Sequence, residues 1–531
     1  MYTSKGGKVH IMKKLVGLAV GLTMLFCTAA PAYAKTTYNV TRLAGFDRYE
    51  TSAKIAASFQ SGNLNNIILA SGRDFPDALG GSVLSRKYNA PILLLDSDVN
   101  NDSNAFDYIK SHLSTSGNIY VLGGTSSISE DILDHIREMG YGNAKFTRLG
   151  GSNRFDTNKS IINSLDAKTG TPIVLVNGEG FADALSISSV AASNGYPIFM
   201  IKPDSLPSET KDLISSIKPS KVYVIGGQAS VSDSAVNELK SQLPYLNESD
   251  IQRLGGTTRY DTSMSVCKNF NLNSNSAVLA NGTNFPDALS GSALASKLNA
   301  PIILTDGTDI SSQKDFIDSK NYRNIYLLGG LNSIDLSVEY LLKDPSVVPQ
   351  SEKDYVNSLK NYCEYYENET SNTADELSQT YDNASSTMSE LNSASTVDEM
   401  LQYLDQMVQV LSSGSSYLTT YKNNLTTLKN EVSGLSIPDG MEVLNNQYLD
   451  NITTQINSVN QSIDYTNDCI DILNSIKDGI NTKNEEEIET GSQKLQDLSQ
   501  EINNISIQHG DSGIYDLYIR LTDALNNLNQ E

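Results

Sequence analysis

A chain of 531 residues is too long for one hydrophobic core, so several domains are expected. Its 39 basic and 62 acidic side chains give a formal net charge of −23. That balance makes nucleic acid a poor partner, because binding it rests on neutralising phosphates with Lys and Arg. The charge is uneven: +4 over residues 1–34, −5 over 35–345 and −22 over 346–531, so any polyanion has to meet the middle part, where the arginines cluster.

Residues 1–34 read as a secretory leader. Lys13 and Lys14 precede an apolar run from Leu15 to Phe26, and Ala32-Tyr33-Ala34 supplies an A-x-A cleavage site. The run is too short and wrongly flanked for a membrane anchor. Met24-Leu25-Phe26 leaves no small residue before Cys27, so cleavage is expected after Ala34 rather than at a lipoprotein cysteine. No later stretch is apolar enough to span a bilayer, and the mature chain is expected outside the cell without a membrane helix. It then keeps only Cys267, Cys363 and Cys469, which is no disulfide framework. Cys267 follows a helical apolar pattern and reads as a small buried hydrophobe; Cys363 and Cys469 are a candidate pair. No Cys or His cluster has metal-ligand spacing, and His112 and His135 have no counterparts in the copies described next. No metal, no cofactor and no repeated His-dependent catalysis are expected.

The middle of the chain repeats itself. "RLAGFDRYET" (42–51), "RLGGSNRFDT" (148–157) and "RLGGTTRYDT" (253–262) are spaced by 106 and 105 residues. "FPDAL" (75–79), "FADAL" (181–185) and "FPDAL" (285–289) follow, and Gly123-Gly124, Gly226-Gly227 and Gly329-Gly330 complete the series. Periods this long indicate whole small domains in tandem, predicted at 35–143, 144–248 and 249–345. Within the first copy, "NNIILAS" reads as a strand, "DALGGSVLSRKY" as a helix and "APILLLD" as a strand covered on both faces. A helix is predicted over residues 103–113, then the strand "NIYVLGG" and a helix from Ser129 to Met139. This βαβα order predicts a parallel sheet with helices on both sides. The closing strand "AKFTRLGG" hands directly into the next copy, so the three units should pack as one block.

Each recurring residue has a structural and a functional reading. Asp47, Asn153 and Thr258 stand three before Glu50, Asp156 and Asp261, the spacing of a helix capping box. Capping accounts for those acids and leaves Arg48, Arg154 and Arg259 unexplained, since a cation in a first turn opposes the helix dipole. The partner is either an internal carboxylate, for which Asp77, Asp183 and Asp287 are the candidates, or an external anion. Those three aspartates lie at a strand-to-helix turn and read as supporting residues. Catalysis needs a second matched group, and no repeated Ser/His, Cys/His or paired-carboxylate set accompanies them. The double glycines lack the spacing of a dinucleotide fingerprint or a P-loop lysine. "APILLLD", "YPIFMIK" and "APIILTD" read as buried strands opened by proline.

Together these motifs resemble the type 2 cell-wall-binding repeat of clostridial and related Gram-positive surface proteins, over residues 41 to about 343. The resemblance implies Rossmann- or Toprim-like α/β modules packed as a pseudo-threefold block. It also implies noncovalent attachment of an exported protein to an anionic, teichoic-acid-like wall polymer, and no enzymatic activity in the repeats. The family's "PILL" stretch falls on Pro91, Ile92, Leu93 and Leu94, with counterparts Pro197, Ile198, Phe199 and Met200, and Pro301, Ile302, Ile303 and Leu304. The resemblance makes these, with Arg48, Arg154 and Arg259, the polymer-binding candidates, and the middle copy departs from the pattern at Phe199-Met200. The alternative is an exported wall-modifying hydrolase that uses the repeats for targeting.

From Val348 the composition turns to Asn, Ser, Thr, Gln and acids. Leu401, Leu404, Val408, Leu411, Leu418, Leu425, Leu428 and Val432 fall on one helical face, as do Met441, Leu444, Ile452, Ile456, Val459, Ile463, Ile470 and Leu473. With breaks at 436–440 and near Gly510, residues 346–531 are predicted to form an acidic all-α bundle of four or five helices. Self-association or a protein partner through this bundle is a further expectation.

Overall fold

The computed structural model describes residues 37–497 except Glu485, Ser492, Leu495 and Gln496. The leader and the break near Gly510 lie outside the described residues. The chain enters through β1 (Asn39–Leu43) and α1 (Arg48–Phe59). The first repeat continues with β2 (Leu64–Ser71), α2 (Gly81–Tyr88), β3 (Ile92–Leu95), α3 (Ser103–His112), β4 (Leu113–Leu122) and α4 (Glu130–Ile136). The second runs through β5 (Lys145–Leu149), α5 (Arg154–Ser164), β6 (Ile173–Asn177), α6 (Ala182–Asn194), β7 (Ile198–Ile201), α7 (Ser208–Ile217), β8 (Val222–Ile225) and α8 (Asp233–Gln242). The third has β9 (Ile251–Leu254), α9 (Arg259–Phe270), β10 (Ser276–Asn281), α10 (Pro286–Lys297), β11 (Ile302–Thr305), α11 (Ser311–Asp318), β12 (Asn324–Leu328) and α12 (Leu336–Leu342).

These strands form three four-stranded parallel sheets, ordered β3-β2-β4-β5, β7-β6-β8-β9 and β11-β10-β12-β1. Each repeat's opening strand therefore completes the sheet of the repeat before it. The third sheet is closed by the first strand of the chain, with Val40 opposite Ile325 and Leu43 opposite Leu328. The helix after each opening strand follows the same rule: α5 packs on α2, α9 on α6, and α1 on α10. Both the backbone ladder and the side-chain packing thus run around a ring.

Strands such as β3 (ILLL) and β6 (IVLVN) are continuous apolar runs because they are covered on both faces, whereas the opening strands β1, β5 and β9 carry Arg and other polar residues and are only partly buried. Outer faces pack into a separate core in each repeat, around Ile109 and Ile132 in the first, Ile214 and Leu239 in the second, and Ile317 and Ile325 in the third. Inner faces share one core that joins all three repeats. At its centre α2, α6 and α10 pack on one another. Their buried faces carry small residues such as Ser82, Ser85, Ala184, Ser188, Ala288 and Ser292, so the helices approach closely enough for the Ser82 hydroxyl to donate to the Ser188 carbonyl at 3.1 Å.

Among the described residues the C-terminal region forms three long helices, α13 (Gln350–Ser393), α14 (Val397–Ser433) and α15 (Glu442–Thr482), with helix resuming at Glu486. These three and the segment from Glu486 already number four helical stretches among the described residues, as the predicted bundle requires. Ser and Thr do not interrupt them, because hydroxyls such as those of Thr419 and Thr427 donate back to the carbonyls four residues earlier. The expected break at 436–440 separates α14 from α15, and the two apolar stripes face the helical core. Cys267 is buried as read, whereas Cys363 and Cys469 are free thiols and do not pair.

The helical region is seated on the third repeat. Leu331, Leu336 and Tyr340 belong to one core with Tyr355, Leu359, Leu444 and Tyr448. The Tyr340 hydroxyl also donates to Glu352 Oε1 at 2.5 Å. At the equivalent positions the first repeat has Thr125, Glu130 and Asp134, and the second has Gln228, Asp233 and Asn237. The change has an electrostatic consequence. Arg148 and Arg253 pair with Glu130 and Asp233, at 2.7 and 3.3 Å. With Leu336 in that place, Arg42 turns to Glu339 one turn further on, at 2.7 Å. Leu331→Asp would bury an unpaired carboxylate in this seat, a change that typically costs several kcal/mol. Limited proteolysis should then cut residues 343–349 and release the helical region while the repeats stay intact; a digestion pattern like that of the parent chain would contradict this seat.

Candidate functional site

The three recurrent motifs meet at the junctions between repeats. Asp47 Oδ1 accepts from the backbone N–H of Tyr49 and Glu50, and Asn153 Oδ1 from those of Phe155 and Asp156. Thr258 Oγ1 accepts from Asp261, whose carboxylate returns the bond to the Thr258 N–H at 2.9 Å. In the first repeat Glu50 reaches one residue further and accepts from Phe46 N at 2.6 Å. The capping role of Glu50 and Asp261 is therefore direct, while Asp156 accepts from the Asn153 side-chain amide.

The arginines that follow each cap are held by main-chain oxygen. Arg48, Arg154 and Arg259 donate through Nη1 to the carbonyls of Gly72, Gly178 and Gly282 at 2.7, 2.8 and 2.5 Å. Each guanidinium also lies over the phenylalanine that precedes DAL in the repeat before: Arg154 over Phe75, Arg259 over Phe181 and Arg48 over Phe285, at 5.7, 5.5 and 5.8 Å from Cζ to ring centroid. The three rings cluster with centroids 5.5 to 6.0 Å apart. Carbonyl oxygen and ring face together offset the unfavourable first-turn position of the cation. A guanidinium has five N–H donors, so this anchorage leaves donors over for a ligand.

Two of the aspartates, Asp183 and Asp287, face the arginine of the next repeat in the ring. Arg259 lowers the pKa of Asp183 and Arg48 that of Asp287, without an ion pair between them among the described residues. The expected internal carboxylate is thus a neighbour across the junction, and the direct partner is a glycine carbonyl. Burial is the larger effect and raises both acids from the usual aspartate value, with the Ser230 and Ser333 hydroxyls pulling the other way. An acid whose pKa rises on folding holds its proton more tightly in the native chain, so this pair gives up stability as pH climbs through the raised values. Asp77, Asp183 and Asp287 accept from Ser127, Ser230 and Ser333 at 2.5, 2.5 and 2.9 Å. The same Oδ2 atoms fill the space that a Cβ would need at Gly123, Gly226 and Gly329, at 2.4, 2.3 and 2.2 Å, and these glycines have φ of +101°, +106° and +97°. DAL and the double glycine are therefore one fitted unit.

Two of the resulting junctions open as clefts. One of about 460 Å³, between the second and third repeats, is lined by Phe181, Asp183, Ser230, Thr258 and Arg259, with Phe75 from the first. The other, about 190 Å³, lies between the third and first repeats beside Asp47, Arg48, Asp287 and Ser333, with Val443 from α15. The PILL candidates are not there. Pro91–Leu94, Pro197–Met200 and Pro301–Leu304 are all buried, in β3, β7 and β11 or just before them. Although these strands stand at sheet edges, α10 covers β3 and α6 covers β11, so the side chains cannot touch a polymer. That assignment is corrected: the strands hold the core beneath the clefts. Conversely, the binding candidates legible in the sequence do not include Phe75, Phe181 and Phe285 or the serines Ser127, Ser230 and Ser333, although the phenylalanines recur two residues before the aspartates and the serines four after the first glycine of each pair.

A glycine pair tests the fitted unit. Gly226→Ala forces Cβ onto Asp183 at positive φ and should destabilise the chain by ~1–3 kcal/mol, read as a lowered Tm. At Gly227 a Cβ would meet only the Gly256 oxygen at 3.4 Å, so Gly227→Ala should melt close to the parent. Equal melting of the two variants would contradict the interlock.

Comparison with known proteins agrees with this construction. The chain is 29% identical over 312 residues to N-acetylmuramoyl-L-alanine amidase LytC of Bacillus subtilis (strain 168), covering 58% of this chain and 59% of that protein. It is 34% identical over 304 residues to the Amidase enhancer of the same organism, covering 57% and 40%. The chain thus spans less than two thirds of the length of either relative. Among solved structures, Cwp6 and Cwp8 from Clostridium difficile match with TM-scores of 0.50, identities of 26% and 28%, and coverage of 57% of this chain against 48% and 51% of theirs. The family Cell wall binding domain 2 (CWB2) matches at residues 42–133, 148–236 and 253–339. With three consecutive copies that meet at these junctions, the chain belongs to the cell wall binding domain 2 family.

Proposed function

We propose that the three-repeat block holds an exported chain noncovalently to an anionic, teichoic-acid-like polymer of the Gram-positive wall, and that the junction clefts are the contact sites. The observation that carries this reading is the convergence, at each junction, of an anchored guanidinium, an aromatic ring and a helix start. Anionic groups on a chain polymer need fixed donors, and a guanidinium with spare N–H groups over a ring face provides them. Repetition of the guanidinium–ring pair at all three junctions multiplies weak contacts into stable attachment.

In this reading the chain is an anchor and not an enzyme. The cleft carboxylates are committed to serine hydroxyls and face an arginine, which suits a support for the cation better than proton transfer. The leader read from residues 1–34 accounts for export, and the helical region is displayed from its seat on the third repeat. The mature chain should sediment with purified walls and be released near 1 M salt, where the Debye length falls to ~3 Å. Walls stripped of anionic polymer that retain it equally would sink the polymer assignment. Soluble fragments released from those walls during incubation would replace the anchor by a hydrolase.

A further inference from the structure

The two open clefts share their arginine, aspartate and serine but differ at the rim. Between the second and third repeats the rim carries Gly180, Ala229 and Thr257. At the equivalent positions the cleft between the third and first repeats carries Asn284, Asn332 and Phe46. The side-chain amides of Asn284 and Asn332 have no hydrogen-bond partner among the described residues, and both are exposed. Phe46 is 86% exposed, the most exposed large hydrophobic side chain among the described residues. It stands just before the helix cap Asp47, where an apolar residue commonly packs on the fourth helical position. That position is Thr51, and the exposure shows that no such staple forms. Local folding therefore gives Phe46 no role. Val443 narrows this cleft, so the helical region supplies part of its wall.

An open aromatic face beside two solvent-facing amides with no protein partner among the described residues is the chemistry that recognises a pyranose. The ring covers the sugar's C–H face, and each amide both donates to and accepts from hydroxyl groups. We propose that the cleft between the third and first repeats is a saccharide-reading site, with Phe46 as stacking platform and Asn284 and Asn332 as hydroxyl partners. Its counterpart between the second and third repeats lacks all three groups and meets only the charged part of the chain. The proposal deepens the polymer reading above and rests on it.

The test uses the full mature chain and, as probe, the neutral oligosaccharide freed from isolated wall polymer by hydrogen fluoride cleavage of its phosphodiesters. Titration calorimetry should show the parent binding this probe. Phe46→Ala, and separately Asn284→Gly with Asn332→Ala, should weaken it by about tenfold, the order of one aromatic contact or one amide pair. Tyr245→Ala, which removes an exposed aromatic residue away from the cleft, should bind like the parent. Phe46 is exposed, so an unchanged Tm is expected and separates lost binding from lost folding. Parent-like binding by Phe46→Ala overturns the proposal, as does a parent that binds intact polymer but not the neutral probe. A parent that binds neither overturns the polymer reading itself.

Discussion

Each repeat gives its opening strand, helix and arginine to the repeat before it, and the rest of the structure depends on that hand-off. The first sheet lacks its outer strand until β5 arrives from the second repeat, and the third lacks one until β1 returns from the start of the chain. A repeat alone would expose a sheet edge and a bare phenylalanine, both liabilities in water. The ring also explains why the arginines meet the phenylalanines between repeats: no single copy owns a cleft. Closure pairs residue 39 with residue 324, a contact of high sequence separation of the kind that slows folding.

Charge has to act locally in this molecule. A net charge of −23 repels a polyanion at long range, and residues 346–531 hold −22 of it. At physiological ionic strength screening confines exposed charges to about 8 Å. Within that range a cleft presents an arginine fixed by a glycine carbonyl and a ring, not a mobile surface cation. Seating the acidic helices on the third repeat adds a second consequence, because it replaces three polar positions by Leu331, Leu336 and Tyr340 and re-routes Arg42 to Glu339. The third repeat is therefore both an anchor module and a mount.

Much of this was legible in the sequence. Spacing alone announced three copies, continuous apolar runs announced covered parallel strands, and the polar-x-x-acid pattern announced the helix caps. Ring closure was not legible, because an alternating strand–helix pattern does not say which sheet a strand joins. The PILL stretches misled for a related reason: an apolar strand reads the same whether it lines a ligand or a core, and only the covering helices decide. The phenylalanines were visible as repeats, but their role needs the geometry that brings three copies within 6.0 Å. The two long helical stripes were legible too, and they coincide with α14 and α15. Leu331, Leu336 and Tyr340 were the readable sign of a docked helical region, had the third copy been compared with the other two position by position.

In the proposed function the three junction arginines bind the wall polymer as a set. The most direct measurement is the fraction of mature chain retained on purified walls as salt rises, for Arg48→Gln, Arg154→Gln, Arg259→Gln and the triple variant, each checked for an intact melting transition. The account predicts release at lower salt for each single change and no retention at physiological salt for the triple. A folded triple variant retained like the parent would contradict it.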